Sequence, residues 1–340
     1  MRILFIGGTG TISTAISRKL LKEGHDLYLV NRGTRNDVFG EYENLHPIIC
    51  DANDEEALKA AIGDLYFDSV CDFIGFVLPQ IERDYRVFKG HTNQYMYISS
   101  ASAYAKPVQS PYITEGTSLS NQYWEYSRNK ILCEKFLMEK YQEEGFPVTI
   151  IRPSHTYDER SVPMGVHGDK GSYQVIKRML EGKPVIVHGD GTSLWHMTFN
   201  EDFAKGFTGL INNPHAIGEA FQITNDETLT WNQIYGTIAK KLGVEFKPYY
   251  VASDYLDAVS KYDFRGGLIG DKSNSVIFDN SKLKKAVPGL CMNIRFEEGI
   301  ERTLNYVMSH KECQIEDPEF DSWCDRVIEA LEEAKKKITE

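Results

Sequence analysis

The chain has no surplus of positive charge. It carries 38 Lys and Arg against 49 Asp and Glu, a net charge of −11. General binding to nucleic acid or to an anionic membrane rests on Lys and Arg neutralising phosphate, so the balance argues against both. The one basic run, Lys335-Lys336-Lys337, is placed to complement the dipole of a C-terminal helix. No apolar stretch approaches the roughly 18–20 residues of a bilayer span. A strand beginning at residue 2 leaves no room for a signal peptide, so a cytoplasmic protein is expected. The six cysteines form no CxxC pair and no metal-ligand cluster. They read as reduced, mostly buried thiols, and no metal is expected. Internal repeats and low-complexity segments are missing too.

What is present begins at once. Arg2 to Ile6 reads as a short buried strand, and the glycine-rich turn Gly7-Gly8-Thr9-Gly10 follows. Thr14 to Lys22 then reads as a helix with Ile16, Leu20 and Leu21 on one face. Strand, glycine turn and helix open a nucleotide-binding βαβ unit. The turn lets the backbone approach a pyrophosphate, which sits on the N–H groups and positive dipole end of the helix. Gly7, Thr9, Gly10, Thr11 and Ile12 are the candidate cofactor contacts. The third small position of the spacing is Ser13 rather than glycine.

Further strands are expected over 26–30, 47–50, 69–73, 94–99 and 147–152, with helices between them. This alternation predicts an α/β fold: a Rossmann-like, doubly wound parallel sheet. The second strand ends Asn31-Arg32, where an acid would favour NAD and an arginine can pair with the 2′-phosphate of NADP; the lean is to NADP. Asp51, with Ala52 beside it, ends the third strand. It is placed to accept from an adenine amino group or to cap the next helix. After Arg152-Pro153 the rhythm breaks. Residues 154–171 read as loop and 252–290 as irregular, while 320–338 form an amphipathic stripe expected to dock on the body. The domains are therefore drawn as 1–155, completed by 192–225, for the cofactor. A smaller C-terminal substrate lobe takes 156–191 and 226–318, and 319–340 is the terminal helix.

The chemistry is expected at one strand end. Ser99, Ser100 and Ser102 cluster at the C-terminal end of the fifth strand, where open α/β sheets bind ligands. Tyr126 and Lys130 follow at i, i+4 on one helix face. An ammonium beside a phenol favours the phenolate, so Tyr126 can move a proton near neutral pH while a serine holds the substrate oxygen. Tyr-x-x-x-Lys occurs three times, as Tyr85/Lys89, Tyr126/Lys130 and Tyr173/Lys177. Only Tyr126 follows the serine strand end and opens a helix leading back to the sheet.

Together these residues resemble the extended short-chain dehydrogenase/reductases, in particular the NAD-dependent epimerase/dehydratase group. The resemblance rests on Gly7-Gly-Thr-Gly10, Asp51, Ile98-Ser-Ser-Ala-Ser-Ala-Tyr104, Tyr126-Ser-Arg-Asn-Lys130 and Arg152-Pro153. It continues more loosely in Gly189-Asp-Gly191, Glu201-Asp202-Phe203-Ala204 and Phe278-Asp-Asn-Ser-Lys282. It implies Tyr126 as catalytic acid/base, Lys130 as its partner and ribose ligand, and Ser100 as the group orienting the substrate. Pro153 would line the nicotinamide end, and the long Tyr–Lys helix implies a homodimer. The substrate would be a sugar or nucleotide sugar.

Departures fall on the substrate side. Such epimerases commonly have asparagine at His155 and a phosphate-gripping arginine near Trp195, where only His196 is basic here. Ser102, His155 and Trp195 are the substrate candidates. The residues after Ser100 do not supply the acidic pair of a dehydratase, so an epimerase leads. A reductase of another carbonyl substrate is the alternative. The layout also resembles chloroplast stem-loop-binding relatives, which sets up a non-catalytic reading: RNA binding or cofactor sensing.

Overall fold

The computed structural model describes residues 1–33, 35 and 39–340. It divides into two compact units. The first holds residues 1–156, 198–226 and 278–293, and the second holds 157–197, 227–277 and 294–340. The sequence assigned 278–293 to the substrate lobe, but this stretch lies in the first unit. Its helix Ser281–Ala286 leads into Val287, which packs so closely on the helix Asn200–Leu210 that a Cβ at Gly209 would lie 2.3 Å from it.

In the first unit the chain runs β1 (Arg2–Ile6), α1 (Thr11–Lys22), β2 (Asp26–Asn31), β3 (Leu45–Ile49), α2 (Glu55–Ile62) and β4 (Ser69–Asp72). It continues through α3 (Leu78–Phe88), β5 (Tyr95–Ile98), β6 (Tyr112–Ile113), α4 (Glu125–Glu144) and β7 (Val148–Pro153). The strand Glu219–Ile223 completes a seven-stranded sheet beside β7, in the order β7, β5, β4, β1, β2, β3 from that edge. Every pairing is parallel. Alternate residues feed two cores, as the two-residue period of a strand requires. Ile3 and Phe5 join Ile16, Leu20 and Phe207 on one face, while Leu4 and Ile6 join Leu58, Phe88 and Leu137 on the other. Burial of each such side chain contributes about 1.5–3 kcal/mol.

The chain leaves β1 in one direction for β2 and β3, then returns to the other side for β4 and β5. The crevice beyond the C-terminal ends of β1 and β4 is therefore the switch point where such sheets hold ligands. α4 ends where expected, at Gly145 in the left-handed conformation with φ 71°.

Several elements differ from the sequence expectation. The third strand runs Leu45–Ile49, two residues early, and a strand His155–Tyr157 lies within the expected loop. A further strand, not expected from the sequence, runs Leu194–Phe199. The supposedly irregular 252–290 contains helix Ser253–Ala258, a π-helix at Arg265–Lys272, a strand at Ile277–Phe278 and helix Ser281–Ala286. Six-residue helices are too short to show a period, and a π-helix does not follow the 3.6-residue one. The terminal helix runs Pro318–Thr339. It buries Phe320, Trp323 and Val327 in its own unit, but Ile338 is exposed, so the stripe docks only in part. All six cysteines are free; Cys71, Cys133 and Cys324 are buried, Cys50 and Cys313 half-buried and Cys291 exposed. Thus half are buried rather than most. Among the described residues no helix is long and apolar enough to cross a membrane, and no acidic, His or Cys group could hold a metal ion.

Candidate active site

The glycine turn is built by close approach. Gly7 and Gly8 have φ of 101° and 108°, open to glycine without strain. A Cβ at Gly8 would lie 2.7 Å from the Leu29 side chain, and one at Gly7 3.2 Å from that of Ile74. The turn is thus pressed onto β2 and onto the segment after β4. Ser13, the departure from glycine, has a role of its own: its Oγ accepts from Gly10 N–H at 3.0 Å. Ser17 Oγ donates to Gly8 O at 3.1 Å and Thr14 Oγ1 to Gly10 O at 2.7 Å. The first turn of α1 holds no acidic residue. Its free N–H groups and dipole suit a pyrophosphate, and the glycine cradle gives it room, so these residues fit a dinucleotide.

The adenosine candidates lie at the ends of β2 and β3. Asn31 Oδ1 accepts from Gly33 N–H at 2.7 Å, and Arg32 is exposed. Asp51 is exposed and accepts from Asn53 N–H at 2.9 Å. It does not cap α2; that position belongs to Asp54, which accepts from Ala57 N–H at 3.0 Å. Ala52 is buried.

The proton-transfer candidates meet at the ends of β5 and α4. Lys130 is 1% exposed, which separates it from Lys89 and Lys177, whose side chains are 52% and 31% exposed. Its Nζ donates to Gly75 O at 2.7 Å and Ile98 O at 2.6 Å. It lies 4.9 Å from the Phe76 and Tyr97 ring centroids and 5.7 Å from that of Tyr126. Burial lowers the Lys130 pKa to about 8, opposed chiefly by the charge of Asp72. Tyr126 is half-buried between Trp124, 5.0 Å away, and Phe76, 6.5 Å away.

The serines divide their work. Ser99 is buried and its hydroxyl bonds to Glu134, which is paired in turn with Arg152 at 2.6 Å. Ser100 is half-buried. Its Oγ accepts from Ser102 N–H at 3.1 Å and lies 2.9 Å from Ser102 Oγ. Ser102 is buried and accepts from Ser127 Oγ at 2.7 Å, while its carbonyl accepts from Asn121 at 2.9 Å. Pro153 is buried and His155 half-buried. Between and beside them, the buried Ser154 and Thr156 hydroxyls find no hydrogen-bond partner among the described residues. Trp195 belongs to the second unit. It is 3% exposed and packs 5.9 Å from Trp231, which is core packing.

Sequence reasoning missed Asp72, Gly75, Phe76 and Trp124. The first three follow the end of β4 at the switch point, and that position was the available signal.

Comparison with known proteins follows this geometry. Residues 3–224 match the NAD dependent epimerase/dehydratase family. The chloroplast stem-loop binding protein of 41 kDa b from Arabidopsis thaliana is 26% identical over 254 residues, covering 71% of this chain and 63% of that protein. An uncharacterized UDP-glucose epimerase, YtcB, from Bacillus subtilis is 30% identical over 151 residues, 44% of this chain and 45% of that protein. The chain thus spans about two thirds to a half of these relatives. The fold is that of the UDP-glucuronic acid 4-epimerase from Bacillus cereus solved in complex with NAD. The TM-score is 0.72 at 18% identity, over 91% of this chain and 97% of the other. Glycine turn, parallel sheet and matched residues agree: the chain belongs to the NAD-dependent epimerase/dehydratase family.

Proposed function

We propose that the protein is an NAD(P)-dependent oxidoreductase of the epimerase/dehydratase type, acting on a sugar or nucleotide sugar. The observation that carries this reading is the buried Lys130 ammonium 5.7 Å from the Tyr126 ring. Bound at the glycine turn, the dinucleotide would accept a hydride and return it. Tyr126 takes the proton from the substrate hydroxyl. Lys130 keeps the phenol acidic enough to do so, and Ser100 orients the substrate oxygen. Gly7, Thr9, Gly10, Thr11 and Ile12 would hold the pyrophosphate. Asn31, Arg32, Asp51 and Ala52 would line the adenosine end, and Pro153 the nicotinamide end. Exposed Arg32 supports a lean to NADP, checked by the ratio of affinities for the two dinucleotides in Arg32→Asp. Ser102 and His155 are the substrate-side candidates within the first unit. A homodimer through α4 is the expected assembly, to be measured by sedimentation.

The test is direct. Dinucleotide is released from purified protein and identified by mass, and turnover of nucleotide sugars is followed with Tyr126→Phe as control. Loss of general acid/base catalysis should lower turnover about 10²-fold or more. Failure of any dinucleotide to bind would end this reading. The similarity to a stem-loop binding protein keeps RNA binding as a second reading, although a net charge of −11 argues against it. Salt-dependent RNA affinity at physiological ionic strength would revive it.

A further inference from the structure

One buried ionisable cluster in the first unit takes no part in the chemistry above. β4 ends on Asp72, and α3 brings Arg83 and Asp84 against it. The two acids are 0% exposed and Arg83 is 5% exposed. Arg83 donates to Asp84 Oδ1 through Nε at 2.8 Å and Nη2 at 2.6 Å. The Tyr95 hydroxyl donates to Asp84 Oδ2 at 2.8 Å and lies 3.5 Å from Asp72 Oδ2. Burial raises the pKa of both acids above the usual carboxylate range. Asp72 accepts from Ile74 N–H at 2.8 Å and faces Lys130, both of which favour its charged form. Asp84 is thus matched by Arg83, and Asp72 is the acid on the Lys130 side.

Asp72 is joined to Lys130 by a very short path. Gly75 packs on the carboxylate so closely that a Cβ there would lie 2.1 Å from Asp72 Oδ2. The carbonyl of this same Gly75 accepts from Lys130 Nζ at 2.7 Å and from the Tyr97 hydroxyl at 3.2 Å. The other charged groups around Lys130 are already matched. Glu134 on α4 is paired with Arg152, and Asp84 on α3 with Arg83. Cys133 on α4 and Tyr97 on β5 are pushed up by burial and stay neutral. Tyr126 is the group Lys130 is meant to serve.

We propose that Asp72 is a positioning residue for Lys130. Its carboxylate, held by the Ile74 N–H and flanked by the Tyr95 hydroxyl, is the counter-charge that keeps Lys130 an ammonium and fixes the carbonyl it bonds. The inference deepens, and rests on, the reading of Tyr126 and Lys130 as the proton-transfer pair.

The test follows Lys130 itself, in full-length protein carrying lysine labelled with ¹³C at Cε. Lys130→Met assigns the resonance. In Asp72→Asn the Lys130 titration should fall by at least tenfold in proton affinity. In Asp84→Asn, which removes an acid already matched by Arg83, it should move less than threefold. Equal shifts in the two variants, or none in Asp72→Asn, would overturn the proposal. Should Asp72→Asn not fold, ¹³C-labelled aspartate in the unaltered chain takes its place. The Asp72 carboxyl is expected to be ionised at neutral pH, and a protonated Asp72 would overturn the idea. None of these readouts needs turnover. If Lys130 follows Asp72 but no Tyr126-dependent turnover occurs, only the catalytic reading fails. If turnover depends on Tyr126 and Lys130 ignores Asp72, only this inference fails.

Discussion

The hydroxyl of Ser102 lies 2.9 Å from that of Ser100, and among the described residues Ser100 Oγ is its only acceptor. Ser102 also donates its N–H to the same oxygen at 3.1 Å and accepts from Ser127 at 2.7 Å. A hydroxyl has one proton and two lone pairs. On the proposed reading Ser102 donates this bond, both lone pairs of Ser100 are occupied, and its own proton is left for a substrate oxygen.

Ser102→Ala should therefore weaken catalysis through Ser100. Losing one such bond is worth about 1 kcal/mol, so turnover should fall roughly fivefold to tenfold. Steady-state kinetics and an unchanged unfolding midpoint check this. A variant as active as wild type would remove the hydroxyl chain from the mechanism.

The pH dependence of turnover has a definite sign. Lys130 serves Tyr126 only while charged, and burial brings its pKa down to about 8. Rates limited by proton transfer should decline as pH rises through that value. A plateau extending well above it, measured with saturating cofactor, would contradict a charged Lys130 as the working form.

The glycines of the first turn differ in tolerance. Gly8→Ala meets both a left-handed φ of 108° and the Leu29 side chain at 2.7 Å. It should cost more than about 1 kcal/mol of stability and lower dinucleotide affinity. Gly10 has φ −85° and a Cβ there would meet only Ser13 Oγ, at 3.6 Å. Gly10→Ala should leave the unfolding midpoint nearly unchanged. Denaturation curves of the two variants, run side by side, decide the point.

Acid should loosen the second unit through His188. This side chain is 1% exposed, packs 5.0 Å from Trp231, and burial holds its pKa at about 4. The unfolded chain takes up the proton near the ordinary 6.5. Stability is therefore complete above that pH and is lost as pH falls toward 4, by about 3 kcal/mol from this group. Urea unfolding followed by tryptophan fluorescence should show the slope, and His188→Asn should flatten it.

The fold and the candidate site residues were legible because they are local patterns. Strand, glycine turn and helix are contiguous, and Tyr126 and Lys130 lie one helical turn apart. The short elements of 252–290 were not legible, since six residues carry no period. The role of Ser13 was hidden as well: its hydroxyl bonds backward to Gly10, a use of serine that spacing alone does not announce. Trp195 reads in sequence as a substrate candidate, but it is wrapped in its own unit by Trp231.

The sequence by itself determined the parallel α/β sheet and the glycine turn, and it named the candidate tyrosine, lysine and serine. Each depends on residue type and spacing within a few positions. Only the tertiary structure decided which of three Tyr–Lys pairs is buried and which acids face it. Asp72 and Lys130 are far apart in the chain, and only the sheet order brings β4 and β5 together under α4. Burial is what turns an ordinary lysine into a titratable one, and burial is a property of the assembled fold.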